Sequence, residues 1–123
     1  MRRFQVTVTT DGSGNATVYS PRVSGKVHQV SYVKPSSGSY TDGVDFTITG
    51  EETGQNIWVE SNVNATAHRA PRQPTHSQAG VASLYAPAGA AVETPIALAN
   101  DRIKIVIASG GAAKVGTFQF LID

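Results

Sequence analysis

Apolar and polar side chains alternate along most of this chain with a period of two. Phe4, Val6 and Val8 alternate with Gln5, Thr7 and Thr9, the pattern of a strand with one face in a core and the other in solvent. Asp11-Gly12-Ser13-Gly14-Asn15 is a turn cluster, and Ala16–Tyr19 resumes the strand pattern. These two segments are expected to form an N-terminal hairpin, ended by Pro21. Val23–Val33 alternates through Val27, Val30 and Tyr32, with Gly25 as a candidate bulge. Pro35–Gly43 is a Ser/Gly/Pro loop. Val44, Phe46 and Ile48 then face opposite Asp45, Thr47 and Thr49, and Gly50–Gly54 reads as a turn. Ile57 and Val59 alternate with Asn56, Trp58 and Glu60. Asp45–Thr49 and Asn56–Glu60 are therefore expected to form a hairpin. Alternation returns in Thr94–Leu98, Ile103–Ile107 and Thr117–Ile122, with Ser109-Gly110-Gly111 marking the turn between the last two.

Seven or eight short strands, Gly-rich turns and no amphipathic helix predict an all-β fold: a single antiparallel β-sandwich or barrel with one long extended loop. The 123 residues fit one domain, 1–123. The loop is residues 62–91. It holds Pro71, Pro74 and Pro87 together with Ala/Gly-rich patches, and its length without a strand pattern points to a function or to ordering against a partner. The one regular element its pattern admits is a short helix at Gln78–Tyr85.

Composition narrows the function classes. Charged residues make up 15% of the chain, against about 25% on average, so much of the outer surface must be Ser, Thr, Gly, Ala and Asn. Such a surface is buried against a partner without desolvating many ions. The net charge of +1 builds no field for nucleic acid or membrane. There is no cysteine, which removes disulfides, thiolate catalysis and cysteine-ligated zinc. MRRFQVTVTT has two arginines but no apolar run behind them, so it does not read as a secretory signal. No stretch is apolar enough to span a bilayer.

No catalytic constellation emerges. Asp11–Asn15 spaces oxygens as calcium loops do, but Ala16 and Arg22 stand where an EF-hand needs Gly and Glu. Asp42, Asp45, Glu51 and Glu52 fall in turns or on the polar side of a strand, without the facing geometry of paired-acid catalysis. His28, His68 and His76 lie at no metal-ligand spacing, and no G-x-S-x-G is present. Trp58 and the tyrosines could form a sugar-stacking platform, but strand aromatics usually pack into or across a sheet.

The most unusual segment is His68-Arg69-Ala70-Pro71-Arg72-Gln73-Pro74-Thr75-His76. It is basic and stiffened by proline, and so is expected to be extended and exposed. Three readings stand. It is a contact arm lying on a neighbouring chain, with Arg69 and Arg72 forking onto carboxylates; a floppy surface loop; or a nucleic-acid contact, for which two arginines without interleaved aromatics are thin ground.

Three pieces together, FQVTVTTDGSGNATVYSPRVSG, DGVDFTITGEETGQNIW and IALANDRIKIVIASGGAAKVGTFQFLID, resemble a family of small virion structural proteins of tailed bacteriophages. The resemblance spans nearly the whole chain, including NVNATAHRAPRQPTHSQAG. It implies a non-enzymatic particle component without a cofactor, assembled in the host bacterial cytoplasm. The favoured role is a capsid decoration (cement) protein that binds the assembled head and stabilises it; a head–tail connector or tail component is the alternative. Its implied partners are the major capsid protein or neighbouring virion proteins, and further copies of itself, with a trimer favoured. The expected contact residues are Arg2, Arg3 and Phe4 at the start, and His68, Arg69, Pro71, Arg72 and His76 in the arm. A carbohydrate-binding β-sandwich module, with an exposed aromatic platform near Trp58 or Tyr40, and a small hydrolase using His28 or the acidic turns are the competing classes.

Overall fold

The alternating segments become strands, and their apolar sides meet between two sheets. The computed structural model describes residues 1–123 and holds ten strands and no helix. They are β1 (Arg2–Thr9), β2 (Ala16–Tyr19), β3 (Val23–Val33), β4 (Asp45–Gly50), β5 (Asn56–Glu60), β6 (Ala67–Arg69), β7 (Arg72–Pro74), β8 (Glu93–Asp101), β9 (Ile103–Ala108) and β10 (Val115–Ile122). One sheet runs β1-β10-β3-β8-β7, with β6 also on β3; the other runs β2-β9-β4-β5. All of these strand pairs are antiparallel. The fold is an all-β sandwich, as the alternation predicts. The two strands beyond the expected eight are β6 and β7, of three residues each, inside the segment read as loop.

β3 organises the larger sheet. Its second half pairs with β10 along one side, and the other side is shared: Val23–Val27 pairs with β8 and Val30–Tyr32 with β6. The expected bulge is present, because the β3–β8 register shifts between Val23 and Gly25. Gly25 has φ +133°, and a Cβ there would lie 2.3 Å from the Asp123 carbonyl oxygen. Only glycine lets the last residues close in this way.

The expected N-terminal hairpin does not form. β1 pairs over its full length with β10, while β2 pairs with β9 in the other sheet. The Asp11–Asn15 turn instead carries the chain from one sheet to the other. It bonds to the second crossover, which links β9 to β10: Gly110 N–H donates to Gly14 O at 2.9 Å, and Ala113 N–H to Asp11 O at 3.2 Å. Turn residues signal a reversal of direction but carry no information about which strand lies alongside. β10 offers β1 eight matched positions, more than the four-residue β2 could.

β4 and β5 form the expected hairpin, with one correction. A bulge shifts the register between Ile48 and Thr49, so Ile57 and Trp58 are both buried and Val59 is exposed. Strict alternation assigns Trp58 to the polar side; the bulge turns it inward, where its large apolar surface is removed from water.

The core holds Phe46, Ile48 and Trp58 from the smaller sheet against Tyr32, Phe118 and Phe120 from the larger. Tyr40, from the connecting loop, is buried among them, and its hydroxyl donates to Val8 O at 2.6 Å. The space for its ring exists because residue 116 is glycine. A methyl there would come 2.4 Å from Tyr40 Cε2 and 2.8 Å from Tyr32 Cε1. Gly116→Ala is expected to lower the unfolding free energy by roughly 1–3 kcal/mol, read as an earlier denaturant midpoint. An unchanged midpoint would show that the two rings give way freely.

Candidate functional site

Residues 62–74 form a strap across one open side of the sandwich. After β5 the chain turns at Asn62, which adopts the left-handed region at φ 58°, a conformation asparagine tolerates. Its N–H donates to Asp45 Oδ1 at 3.2 Å, and Asn64 Oδ1 accepts from Gly43 N–H at 2.8 Å. Lys34 holds the next turn: its ammonium donates to Asn64 O at 2.8 Å and its N–H to Thr66 Oγ1 at 3.0 Å. β6 then joins the larger sheet, with His68 Nδ1 2.8 Å from Ser31 Oγ.

Arg69 ties the strap to the smaller sheet. Its guanidinium lies 5.5 Å from the Trp58 ring centroid and forks onto Glu60, with Nε–Oε1 and Nη2–Oε2 both at 2.9 Å. The Trp58 indole N–H donates to the same carboxylate at 3.0 Å. The Arg69 fork, with the Trp58 N–H, holds the Glu60 carboxyl below its usual range, and Glu60 in turn raises Arg69. The Gln55 and Gln73 amides bond one another further along. Glu60 and residues 62–69 line an open depression of about 470 Å³.

Beyond Pro74 the chain leaves the sheet as a lobe and returns at Val92. Three residues close its base: Thr75 N–H donates to Val92 O (2.8 Å), Val92 N–H to Ser83 O (2.9 Å) and Ser83 N–H to Thr75 O (3.0 Å). Isolated bridges join His76 to Ala82 and Leu84 to Ala91, and the Ser77 hydroxyl accepts the N–H groups of Ala79 and Val81. The lobe is thus an ordered structure. The short helix that the pattern admits at Gln78–Tyr85 does not form: Ser77 accepts the N–H groups of Ala79, Gly80 and Val81, and those of Ser83 and Tyr85 go to Thr75 O and Ala90 O.

No Asp, Glu, Lys or Arg occurs between Arg72 and Glu93. Seven large apolar side chains remain exposed in the protein, and three of them stand on this lobe: Val81 (65%), Leu84 (43%) and Tyr85 (76%). A raised, uncharged surface with apolar tips costs little to desolvate and so suits contact with another protein.

The structure separates the expected contact residues into two groups. Arg2, Arg3 and Phe4 lie on β1, at the opposite end of the larger sheet from β7. His68 and Arg69 lie on β6, and Pro71 and Arg72 at β7. Arg69 does fork onto a carboxylate, but one of its own chain. Arg72 donates only to carbonyl oxygens, of Pro71 at 2.8 Å and His28 at 3.4 Å, and its charge is free for a partner. His76 is exposed at the foot of the lobe. Val81, Leu84 and Tyr85 were missed; the signal that could have found them is the charge-free run itself. The acidic residues are dispersed: Glu51 is paired with Arg102, and no three His, Asp or Glu side chains are grouped to hold a metal. Trp58 (5% exposed) and Tyr40 (3%) are buried, so neither offers the platform that sugar stacking requires.

No family model and no curated protein matches the chain. Among solved structures, the crystal structure of FLHE is similar over 96% of this chain and 95% of that one, at 10% identity and a TM-score of 0.38. A likeness at that level carries no argument about function.

The Arg69–Glu60 fork has a defined pH dependence. Glu60 is held below its ordinary 4.5 in the folded chain, so the fork's contribution is complete above that value and is lost as pH falls through the lower, folded one. Both side chains are more than a third exposed, which screens the contribution to below about 1 kcal/mol. Fluorescence of Trp58, the one tryptophan, is expected to titrate below pH 4.5 in the wild type. In Glu60→Gln that step should be missing; a step that survives would place its origin elsewhere.

Proposed function

We propose that this chain is a non-enzymatic structural protein of a tailed bacteriophage particle, a decoration protein that binds the assembled head through the lobe beyond Pro74. The observation that carries the contact role is the ordered, uncharged lobe with Val81, Leu84 and Tyr85 exposed at its surface. The resemblance of the sequence to small phage virion proteins supplies the partner. Arg72 and His76, at the foot of the lobe, are the polar rim of the same contact, where a cation and a hydrogen-bonding ring orient the docked surface. A protein that binds the assembled lattice and not its separate subunits stabilises the lattice by mass action. Many equivalent sites make modest affinity at each one sufficient.

The lobe can be removed without opening the sheet, because Thr75 and Val92 are already hydrogen-bonded neighbours. Replacing His76–Ala91 by Asn-Gly would close β7 and β8 as a tight hairpin. That variant is expected to fold with an unchanged denaturant midpoint and to lose binding to purified heads of its phage in co-sedimentation. Full occupancy by the lobe-less protein would overturn the docking role. Quantitative mass spectrometry of whole particles tests the location: a copy number matching the capsid lattice supports decoration, and that of a single ring moves the protein to the connector or tail.

A further inference from the structure

The other side of the sandwich has no strap. The larger sheet ends there at β1, eight residues long and paired with β10 without a bulge. Thr10 N–H donates to Lys114 O at 2.9 Å, which fixes the phase of this ladder. Even-numbered residues of β1 bond inward to β10, and Arg3, Gln5, Thr7 and Thr9 direct their N–H and C=O groups outward. None of these groups has a partner among the remaining hydrogen bonds of the chain. Proteins usually blunt such an edge with proline, bulges or charges along it; β1 has no proline and no bulge, and its only charges, Arg2 and Arg3, are confined to its first two residues. The side is also incompletely covered. Of the five half-buried apolar residues that pack on the core margin, Phe4, Val6, Ala16 and Val18 lie on β1 and β2.

The geometry points to β1 as a strand-addition site whose occupant is β1 of a second copy of this chain, antiparallel about a two-fold axis through Val6. In that register Arg3 pairs with the second copy's Thr9, and Gln5 with its Thr7. All four outward residues of each chain then exchange both backbone bonds. On the core side Phe4 meets Val8 and Val6 meets Val6, so the apolar margin of each sandwich covers the other. On the solvent side every pair is uncharged or singly charged. The two Arg2–Arg3 ends stand about 20 Å apart, well beyond the screening length of about 8 Å. This self-complementarity favours a second copy over an unrelated strand. It is a two-fold contact, and so gives dimers in place of the trimers that the resemblance implies. It is independent of the lobe.

Sedimentation velocity across a concentration series tests it, with circular dichroism as a check on folding. The wild type is expected to show a monomer–dimer equilibrium. Thr7→Pro removes one outward N–H while sparing the ladder to β10, and is expected to raise the dimer Kd at least about tenfold. Should proline disturb the strand, Gln5→Lys with Thr7→Lys leaves the backbone intact. It sets lysines opposite one another twice across the axis, with the same expected loss. A wild type that stays monomeric or forms trimers overturns the inference. So does a dimer unaffected by the lysine variant, or one lost on Tyr85→Ser.

Discussion

Phe46 holds the two sheets in register, and the rest of the structure depends on it. Its ring meets Tyr32 at 4.9 Å, Phe118 at 5.0 Å and Trp58 at 5.4 Å between centroids, each edge to face. Such contacts set the positive edge of one ring against the negative face of another, each worth about 0.5–1.5 kcal/mol beyond the area buried. The effects reach the surface in two directions. Tyr40, edge-on to Phe46 at 6.0 Å, presses on Gly116 and bonds Val8 O, which locates β1. Trp58 is held where its N–H reaches Glu60, and Glu60 then receives Arg69. One aromatic node thus positions both the free edge and the strap.

The two sides of the sandwich are treated differently. On one side, β5 is an edge, and the strap closes it with an ion pair over an indole, an amide pair and short strands flanked by proline. The chain that completes this closure continues directly into the lobe, so the lobe has a rigid foot. On the other side, β1 and β2 end their sheets without cover. Low surface charge links both features, because neither the lobe nor the outer face of β1 would have to shed many ions on contact.

Much of the strand content was legible in the sequence. The inward sets Phe46/Ile48, Ile103/Ile105/Ile107 and Phe118/Phe120/Ile122 follow directly from alternation, and all are buried. Gly25 was legible as a bulge, since an isolated glycine in a strand weakens it without such a reason. Trp58 was misassigned because a one-residue register shift inverts every later side chain, and nothing local announces it. β6 and β7 were invisible, because three residues are too few to show a period. The contact residues were legible in part: the arginines drew attention to the strap, yet Arg69 is consumed by Glu60, nine residues earlier in the chain. The lobe was visible only as an absence of charge.

The sequence alone determined that the chain is all-β, which faces of its long strands are apolar, and where it turns. Those properties arise from residues within a few positions of one another. Only the tertiary structure decided which strands are neighbours, which arginine is paired and which stays free, and which edge is left open. These depend on residues far apart in the chain competing for the same covering surface, and the winner is set by how much apolar area and how many backbone bonds each pairing satisfies together.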